Sequence, residues 1–406
     1  MKQLLIIIAS TLLFQSCASS QPTDQELLDK AKKLHSEFIT IDSHTDTPLM
    51  LMQDKFNVLS VKNNRRAKVT LEYMKEGGLD AVFFAVFIGQ DDRTPEKYEE
   101  VHQTALAIFD SVHAAIGRYP EYAAIATNSD DAKRLKGEGK RAIYLGVENG
   151  YPIGKDLSKI DAYFNLGARY LTLCHTSNND ICDSSTDPKG AEHGGLSDFG
   201  EEVVKRLNHL GMMIDVSHIS DSAFFQTLMV TNTPIIASHS NARAVCDNPR
   251  NLSDEMLLAL KQNGGVIQMC LLSNYIKPDE PYPARDSARN ALGEKYGSFR
   301  GLDPEIRKKA IEEWYAIDEN FPQKLATVSN LVDHIDHVVK LIGIDHVGIG
   351  SDFDGGGGLA DCYNVSQMHN ITVELLRRGY SNSDIKKIWG ENLLRVFKQV
   401  EGFART

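Results

Sequence analysis

The 406-residue sequence predicts a (β/α)8 barrel of the TIM type. Eight short apolar runs alternate with segments of helical periodicity, and six of the eight runs end on a histidine or a carboxylate. Buried parallel strands are nearly continuous apolar runs, and the carboxyl ends of all barrel strands meet at one face, where active sites are built. An open α/β sheet would show the same alternation. The count of eight and the spread of ligand-like residues along the runs favour a closed barrel.

The predicted strands follow one another with helical segments between them. In chain order they are FITIDSH, AVFFAVF, AIYLGVE, YLTLCH, MMIDVSH, PIIASHS, VIQMCLL and HVGIGSDFD. Apolar residues at helical spacing predict helices over 24–37, 95–118 and 199–210, the last stopped by Gly211. Two amphipathic helices are expected at the C-terminus, with Ser381 capping the second.

A polar and charged stretch separates the seventh and eighth predicted strands. This insertion covers about 273–345 and has helical segments of its own, notably over 304–316. A long insertion at the active-site end of a barrel is a candidate lid or subunit contact. A surface insertion without such a role explains the stretch equally well.

The N-terminus is not predicted to belong to the barrel. A charged start, the apolar segment LLIIIASTLLF and then Cys17 resemble a bacterial lipoprotein signal, although Phe14 stands where leucine is usual. We expect residues 1–17 to form the signal, with Cys17 lipid-modified, 18–24 a tether and 25–406 the barrel. This interpretation implies a lipid-anchored protein of the bacterial cell envelope, on the outer membrane facing the periplasm; plain secretion is the alternative.

Charge and cysteine usage narrow the partners further. The formal net charge is −11 and no basic run is present, so nucleic acid is a poor candidate, because phosphate binding needs a basic surface. Five cysteines remain beside Cys17, without a CxxC pair. One disulfide is possible outside the cytosol, Cys174 and Cys182 being nearest in sequence, but free buried thiols are the commoner arrangement.

Five of the strand-end residues form a plausible metal set. His44 and Asp46 are two apart on an extended chain, so their side chains point the same way. Glu148 ends an apolar run, where an unpaired carboxylate would be costly to bury. His218 and His239 end consecutive predicted strands. Each residue alone has a structural explanation, but neutral imidazoles and carboxylates at one barrel face suit zinc, with Glu148 able to bridge two half-sites.

The chain resembles the membrane (renal) dipeptidases, zinc-dependent relatives of the amidohydrolases. The resemblance covers about 38–400 and is weakest over 273–345. It is carried by IDSHTDTP, LGVENG, ARYLTLCHTSNN, HGGLSDFG, DVSHIS, SHSNARAVCDNPRN, GIGSDFDG and ENLLRVF. The resemblance implies two Zn2+ ions bridged by Glu148 and a water or hydroxide. His44 and Asp46 match the ligands of one ion, and His218 and His239 those of the other.

The same resemblance implies roles around the substrate. His175 matches a histidine near the substrate carbonyl, and Arg250 matches an arginine that holds the terminal carboxylate. Asp352 matches the acid that serves the amino end and the leaving amine, and Tyr275 matches a pocket tyrosine. The implied reaction is hydrolysis of dipeptides with a free C-terminal carboxylate, of L or D configuration, by a hydroxide that bridges the metals.

Two other functions stay open at this point. A dizinc amidase or lactonase of the same fold would share the metals but not need the carboxylate clamp of Arg250. A peptide-capturing lipoprotein without activity would not need five metal ligands. The resemblance also implies a homodimer.

Overall fold

The structure, a computed structural model, describes residues 22–52, 56–63, 66–297 and 302–404. The predicted signal, Cys17 and most of the predicted tether lie outside these ranges. Within them, no helix combines the length and the apolar character that crossing a membrane requires.

Parallel strands form one sheet that curls into a barrel. The strands are β1 Ile41–Thr45, β2 Ala81–Phe87, β3 Ala123–Ile125, β4 Arg141–Glu148, β5 Ala168–Thr172, β6 Met213–Asp215, β7 Ile236–Ser240, β8 Val266–Met269 and β9 Val347–Ile349. The order is β1-β2-β4-β5-β6-β7-β8-β9, and β3 pairs with β4 outside this path. All eight predicted strands are present. The three-residue β3 was not predicted, since its apolar run is too short to stand out.

The last and first strands of the path meet just beyond their carboxyl ends. The Asp352 amide donates to the His44 carbonyl at 3.0 Å, and the Asp46 amide donates to the Phe353 carbonyl at 2.8 Å. These bonds complete a nearly closed barrel, as predicted. They also bring two of the predicted site segments, from opposite ends of the sequence, side by side.

The helices lie between the strands and around the barrel. They are α1 Asp24–Glu37, α2 Thr47–Leu51, α3 Leu71–Glu76, α4 Pro95–Gly117, α5 Asp131–Gly137, α6 Ser158–Asn165, α7 Asp198–Leu210, α8 Asp221–Val230, α9 Asp254–Asn263, α10 Ser273–Ile276, α11 Pro283–Tyr296, α12 Pro304–Asn320, α13 Val328–Ile342, α14 His369–Arg377, α15 Asn382–Lys386 and α16 Asn392–Phe403. The three predicted internal helices are α1, α4 and α7, each within one residue of its expected bounds. Gly211 ends α7 in the left-handed conformation, with φ 71°. Ser381 caps α15 with a capping box, and a π-helical turn joins α15 to α16.

Helices α10 to α13 lie in the predicted insertion, about 273–345, between β8 and β9. Of these four, α13 packs against α9 and the strands as an ordinary barrel helix. Its first turn is fixed by a capping box at Thr327, and one face of it is buried. This helix follows the charged stretch without a strand between them, so composition alone does not separate the two.

Alternation along β4 links the barrel interior to its active-site end. Tyr144, Gly146 and Glu148 are two residues apart and therefore share the inward face. Tyr144 stacks on Phe83 of β2, with ring centres 4.7 Å apart, deep in the barrel. Glu148 ends the same row at the carboxyl end. The last inward-facing residue of β4 thus places a carboxylate at the carboxyl end of the barrel, above the packed interior.

Candidate metal centre and active site

Imidazoles from four strands converge on the carboxylate of Glu148. Its Oε1 lies 3.2 Å from His218 Nε2, 3.6 Å from His239 Nε2 and 3.7 Å from His175 Nε2. Its Oε2 lies 3.4 Å from His44 Nε2. The two oxygens therefore face different sets of ring nitrogens, as a bridging carboxylate would.

Among the residues that the structure describes, three overlapping groups of side chains offer ligand atoms close enough to share an ion. They are His44, Glu148 and His239; Glu148, His175 and His218; and His44, Asp46 and Asp352. All five residues predicted as metal ligands belong to these groups. His175 and Asp352, predicted to face the substrate, lie equally close to ligand positions.

The donor set fits divalent metal ions. His44 Nε2 and Asp46 Oδ1 are buried and have no hydrogen-bond partner within the described part of the chain. Buried polar atoms are nearly always satisfied, so such atoms call for an explanation, and an ion is a common one. Neutral imidazoles with carboxylates suit zinc and related metals. The fit of a metal ion to this site rests on the two unpaired atoms and on the imidazole nitrogens that face Glu148.

Hydrogen bonds behind the cluster orient two of the imidazoles. The Tyr170 hydroxyl, fully buried, lies 2.8 Å from His44 Nδ1. Ser238 Oγ lies 2.8 Å from His239 Nδ1 and donates to Asp215 Oδ2 at 2.6 Å. A partner that accepts from Nδ1–H fixes the tautomer that leaves Nε2 free for a metal. Both rings therefore present Nε2 to the cluster.

The charge state of the cluster follows from burial and crowding. Burial, and next the charge of Arg250, hold the pKa of His218 well below its usual range. Burial opposes protonation of His44 as well, but the Tyr170 and Glu148 side chains outweigh it and raise its pKa. Burial, and then the neighbouring Asp46, raise the pKa of Asp352 well above the usual range. Carboxylates crowded in a dry site need positive charge nearby, which metal ions would supply.

Backbone conformation is strained at the same place. Among the described residues, the non-glycine positions with positive φ are Asn149 at 77°, His218 at 74°, Asp352 at 59° and Asp354 at 66°. Three of them are site residues or directly follow one. Such conformations persist where the surroundings over-determine them, and they cluster at functional sites.

A pocket of about 240 Å³ opens over the cluster. It is lined by Asp46, Leu49, Phe87, Glu148, His175, Thr176, His218, His239, Leu272, Tyr275, Asp352 and Gly355. Arg250 is buried beside it, with its guanidinium carbon 5.3 Å from the centre of the Tyr275 ring. The Arg250 side chain donates to the His239 carbonyl at 3.1 Å and to Ser240 Oγ at 3.4 Å. Its Nε is buried and has no hydrogen-bond partner in the described ranges.

All nine residues predicted from 44 onward thus lie in or beside one pocket. Sequence reasoning missed Tyr170 and Asp215, which look like ordinary members of apolar runs. It also missed Leu49 and Phe87. Period-two alternation could have placed Tyr170 on the inward face of its strand, two residues before its end, but nothing in the sequence shows which ring it touches.

Comparisons with known proteins show the family to which the chain belongs. The family model for membrane dipeptidases (peptidase family M19) matches residues 28–406. Dipeptidase 3 of Rattus norvegicus is 32% identical over 391 residues, 93% of this chain and 68% of that protein. Dipeptidase verJ of Clonostachys rogersoniana is 32% identical over 388 residues, 92% of this chain and 87% of that protein.

Solved structures share the architecture. The crystal structure of the probable dipeptidase PvdM from Pseudomonas aeruginosa has a TM-score of 0.80 and 32% identity, covering 93% of this chain and 99% of that one. A metallopeptidase from Rhodobacter sphaeroides, liganded with a phosphinate mimic of the dipeptide L-Ala-D-Ala, shares the fold at 20% identity and a TM-score of 0.71, over 89% and 99% of the two chains. The chain therefore belongs to the membrane dipeptidase family, peptidase family M19, and is a metallo-dipeptidase that hydrolyses peptide bonds.

Proposed function

We propose that this dipeptidase acts on dipeptides with a free C-terminal carboxylate, of L or D configuration, with two Zn2+ ions bridged by Glu148. The observation that carries the proposal is that the two carboxylate oxygens of Glu148 face different histidines. Oε2 faces His44, and Oε1 faces His218 and His239. His44 and Asp46 would hold one ion, and His218 and His239 the other. When bound, the two ions would supply a water activated at neutral pH and polarise the scissile carbonyl.

The remaining polar residues would stabilise charge and move protons. His175 is half-buried, lines the pocket and can donate a hydrogen bond to the carbonyl oxygen as charge builds there. Asp352 lines the same pocket, and burial together with Asp46 raises its pKa. In its ionised form, a carboxylate with a raised pKa is a stronger base, so it can accept the proton of the attacking water and pass it to the leaving amine.

Arg250 would make the free C-terminus part of the substrate definition. Its buried Nε lacks a partner in the described ranges, while its other contacts hold the guanidinium in place. A carboxylate in the adjacent pocket would satisfy this group through a charge-assisted, two-pronged contact. Tyr275 supports the arrangement, since its ring lies beside the guanidinium.

We also propose a cellular setting, on the basis of the N-terminal sequence. Lipid modification of Cys17 would anchor the enzyme, by way of residues 18–24, to the outer membrane facing the periplasm. We also propose a homodimer, as the family resemblance implies. Incorporation of radiolabelled lipid into wild type, compared with Cys17→Ala, tests the lipid modification. The molar mass in solution of protein lacking residues 1–17 tests the homodimer.

The central test compares substrates that differ only at the C-terminus. Protein lacking residues 1–17 is assayed on L-Ala-L-Ala, Gly-D-Ala and the amide of L-Ala-L-Ala, with metal content measured on the same samples. We expect about two zinc ions per chain and cleavage of both dipeptides but not of the amide. Arg250→Lys should raise KM for the dipeptides and reduce the difference in kcat/KM between dipeptide and amide. The reason is that lysine lacks the planar guanidinium that makes a two-pronged contact.

Two results would contradict the proposal in different ways. Equal cleavage of dipeptide and amide would remove the carboxylate requirement. Full metal content without cleavage of either dipeptide would point instead to the amidase or lactonase alternative. Met229→Ser, on an exposed side chain of α8, serves as the control with unchanged kinetics.

A further inference from the structure

One side of the pocket is apolar. Leu49, in α2 just after β1, and Phe87, the last residue of β2, both line it and are half-buried. We infer that these two side chains form the subsite for the N-terminal side chain of the dipeptide, and that the enzyme prefers an apolar N-terminal residue. The inference rests on the proposed function, whose carboxylate clamp sets the direction of the substrate.

Strand order gives the positions around the barrel mouth. In the order β1-β2-β4-β5-β6-β7-β8-β9, four steps separate β2 from β7 in either direction. Phe87 therefore stands across the barrel from the loop after β7 that carries Arg250. Tyr275 follows β8, next to β7, and lies beside Arg250. Leu272 lies in the same loop after β8 as Tyr275 and lines the same pocket.

This arrangement assigns the two halves of a bound dipeptide. With its carboxylate at Arg250, the C-terminal residue lies on the β7–β8 side, against Leu272 and Tyr275. The scissile carbonyl then falls over Glu148, at the centre. The N-terminal residue has to continue toward β1 and β2. Its amino group can reach Asp352, which follows β9 next to β1, and its side chain meets Leu49 and Phe87.

The chemistry of this wall selects apolar groups. The Phe87 ring stands edge-on to His175, with ring centres 4.7 Å apart and an interplanar angle of 68°, so its face is held in a defined orientation. An apolar side chain placed here covers apolar surface and is favoured. A charged or hydroxyl side chain would lose water without gaining a partner from Leu49 or Phe87, which is unfavourable.

The test uses dipeptides that differ only in their N-terminal residue. Leu-Ala, Ser-Ala, Lys-Ala and Glu-Ala are assayed with the zinc-loaded protein lacking residues 1–17. We expect kcat/KM for Leu-Ala to exceed that for Ser-Ala by at least about tenfold, in the range that hydrophobic pockets achieve for small side-chain differences. Leu49→Ser should reduce this ratio by about tenfold.

Two further variants make the assignment specific. Leu272→Ser alters the part of the pocket formed by the loop after β8, so the Leu-Ala to Ser-Ala ratio should stay as in wild type while the preference at the C-terminal residue changes. Leu49→Lys puts a positive charge on a half-buried position that a long side chain can occupy. It should raise the relative rate on Glu-Ala, which gives a gain of activity that a folding defect cannot produce.

Each outcome decides something. No preference among the four dipeptides in wild type would overturn the inference and leave the proposed function standing. A ratio lost equally in Leu49→Ser and Leu272→Ser would overturn the assignment of the two walls. No cleavage of any dipeptide would overturn the proposed function, and with it the inference.

Discussion

Replacing Tyr170 with phenylalanine removes a single oxygen from behind the metal centre. That oxygen is fully buried and lies 2.8 Å from His44 Nδ1. The ring itself is fixed by packing, because a Cβ at Gly146 would stand 2.1 Å from its Cζ and the Phe83 ring centre is 5.4 Å away. The variant should therefore keep the shape of the barrel and change only the hydrogen bond to His44.

The size of the effect follows from what His44 loses. With a metal on Nε2, Nδ1 carries the hydrogen and Tyr170 accepts it; without the hydroxyl, a buried donor loses its acceptor, which costs about 1–3 kcal/mol. The tautomer with hydrogen on Nε2 also becomes more favourable, since Glu148 and Asp46 carboxylate oxygens lie 3.4 and 3.6 Å away. Loss of such outer-shell partners typically weakens metal affinity about 10- to 100-fold. We expect this loss at the site that His44 serves, and not at the site of His218 and His239.

Competition with a chromogenic chelator measures the affinities. Wild-type protein should retain two zinc ions, whereas Tyr170→Phe should release one of them about 10- to 100-fold more readily than wild type does. Tyr144→Phe is the matched control, because its hydroxyl is equally buried but donates to the Asn128 carbonyl at 2.9 Å, away from the cluster. Unchanged zinc release in Tyr170→Phe, or equal loss in Tyr144→Phe, would refute the reasoning.

Three other predictions concern packing, pH and thiols. Gly146→Ala should lower the free energy of unfolding by about 1–3 kcal/mol through overpacking, whereas Gly117→Ala, with no neighbour within 4 Å, should not; chemical denaturation measures both. Burial, and next His369, lower the pKa of His35 to about 3. The folded state thus favours the neutral imidazole, so the contribution of His35 to the free energy of unfolding is fully present above about pH 6.5 and declines below it. His35→Gln should therefore reduce the loss of free energy of unfolding between pH 6.5 and 5 by about 2 kcal/mol. A thiol reagent should label native protein lacking residues 1–17 far more slowly than denatured protein, because the remaining cysteines are free and buried: Cys174, Cys182, Cys246, Cys270 and Cys362.

The outline of the fold and the centre of the site were predictable because each strand carries its own signal. Apolar residues mark its length, and in six of the eight predicted strands a histidine or carboxylate marks the carboxyl end, as at His218 and His239. In a barrel those ends have to meet at one face, so the topology itself predicts that these residues lie close together in space. The extent of the insertion was less predictable, since the charged stretch runs into α13 without a break that composition can show.

The supporting residues behind the metal centre could not be predicted from the sequence, for a physical reason. Tyr170 and Asp215 lie within buried strands, where any inward-facing side chain belongs to the packed interior. What distinguishes them is a partner on another strand: His44 for Tyr170, and Ser238 for Asp215. For Tyr170 that contact depends on register and on the space that Gly146 leaves above its Cα. A metal ligand is recognisable by its position at the end of a strand. A residue that orients a ligand is recognisable only once two strands have been placed side by side, which is why Tyr170 rather than His44 is the more demanding test of this structure.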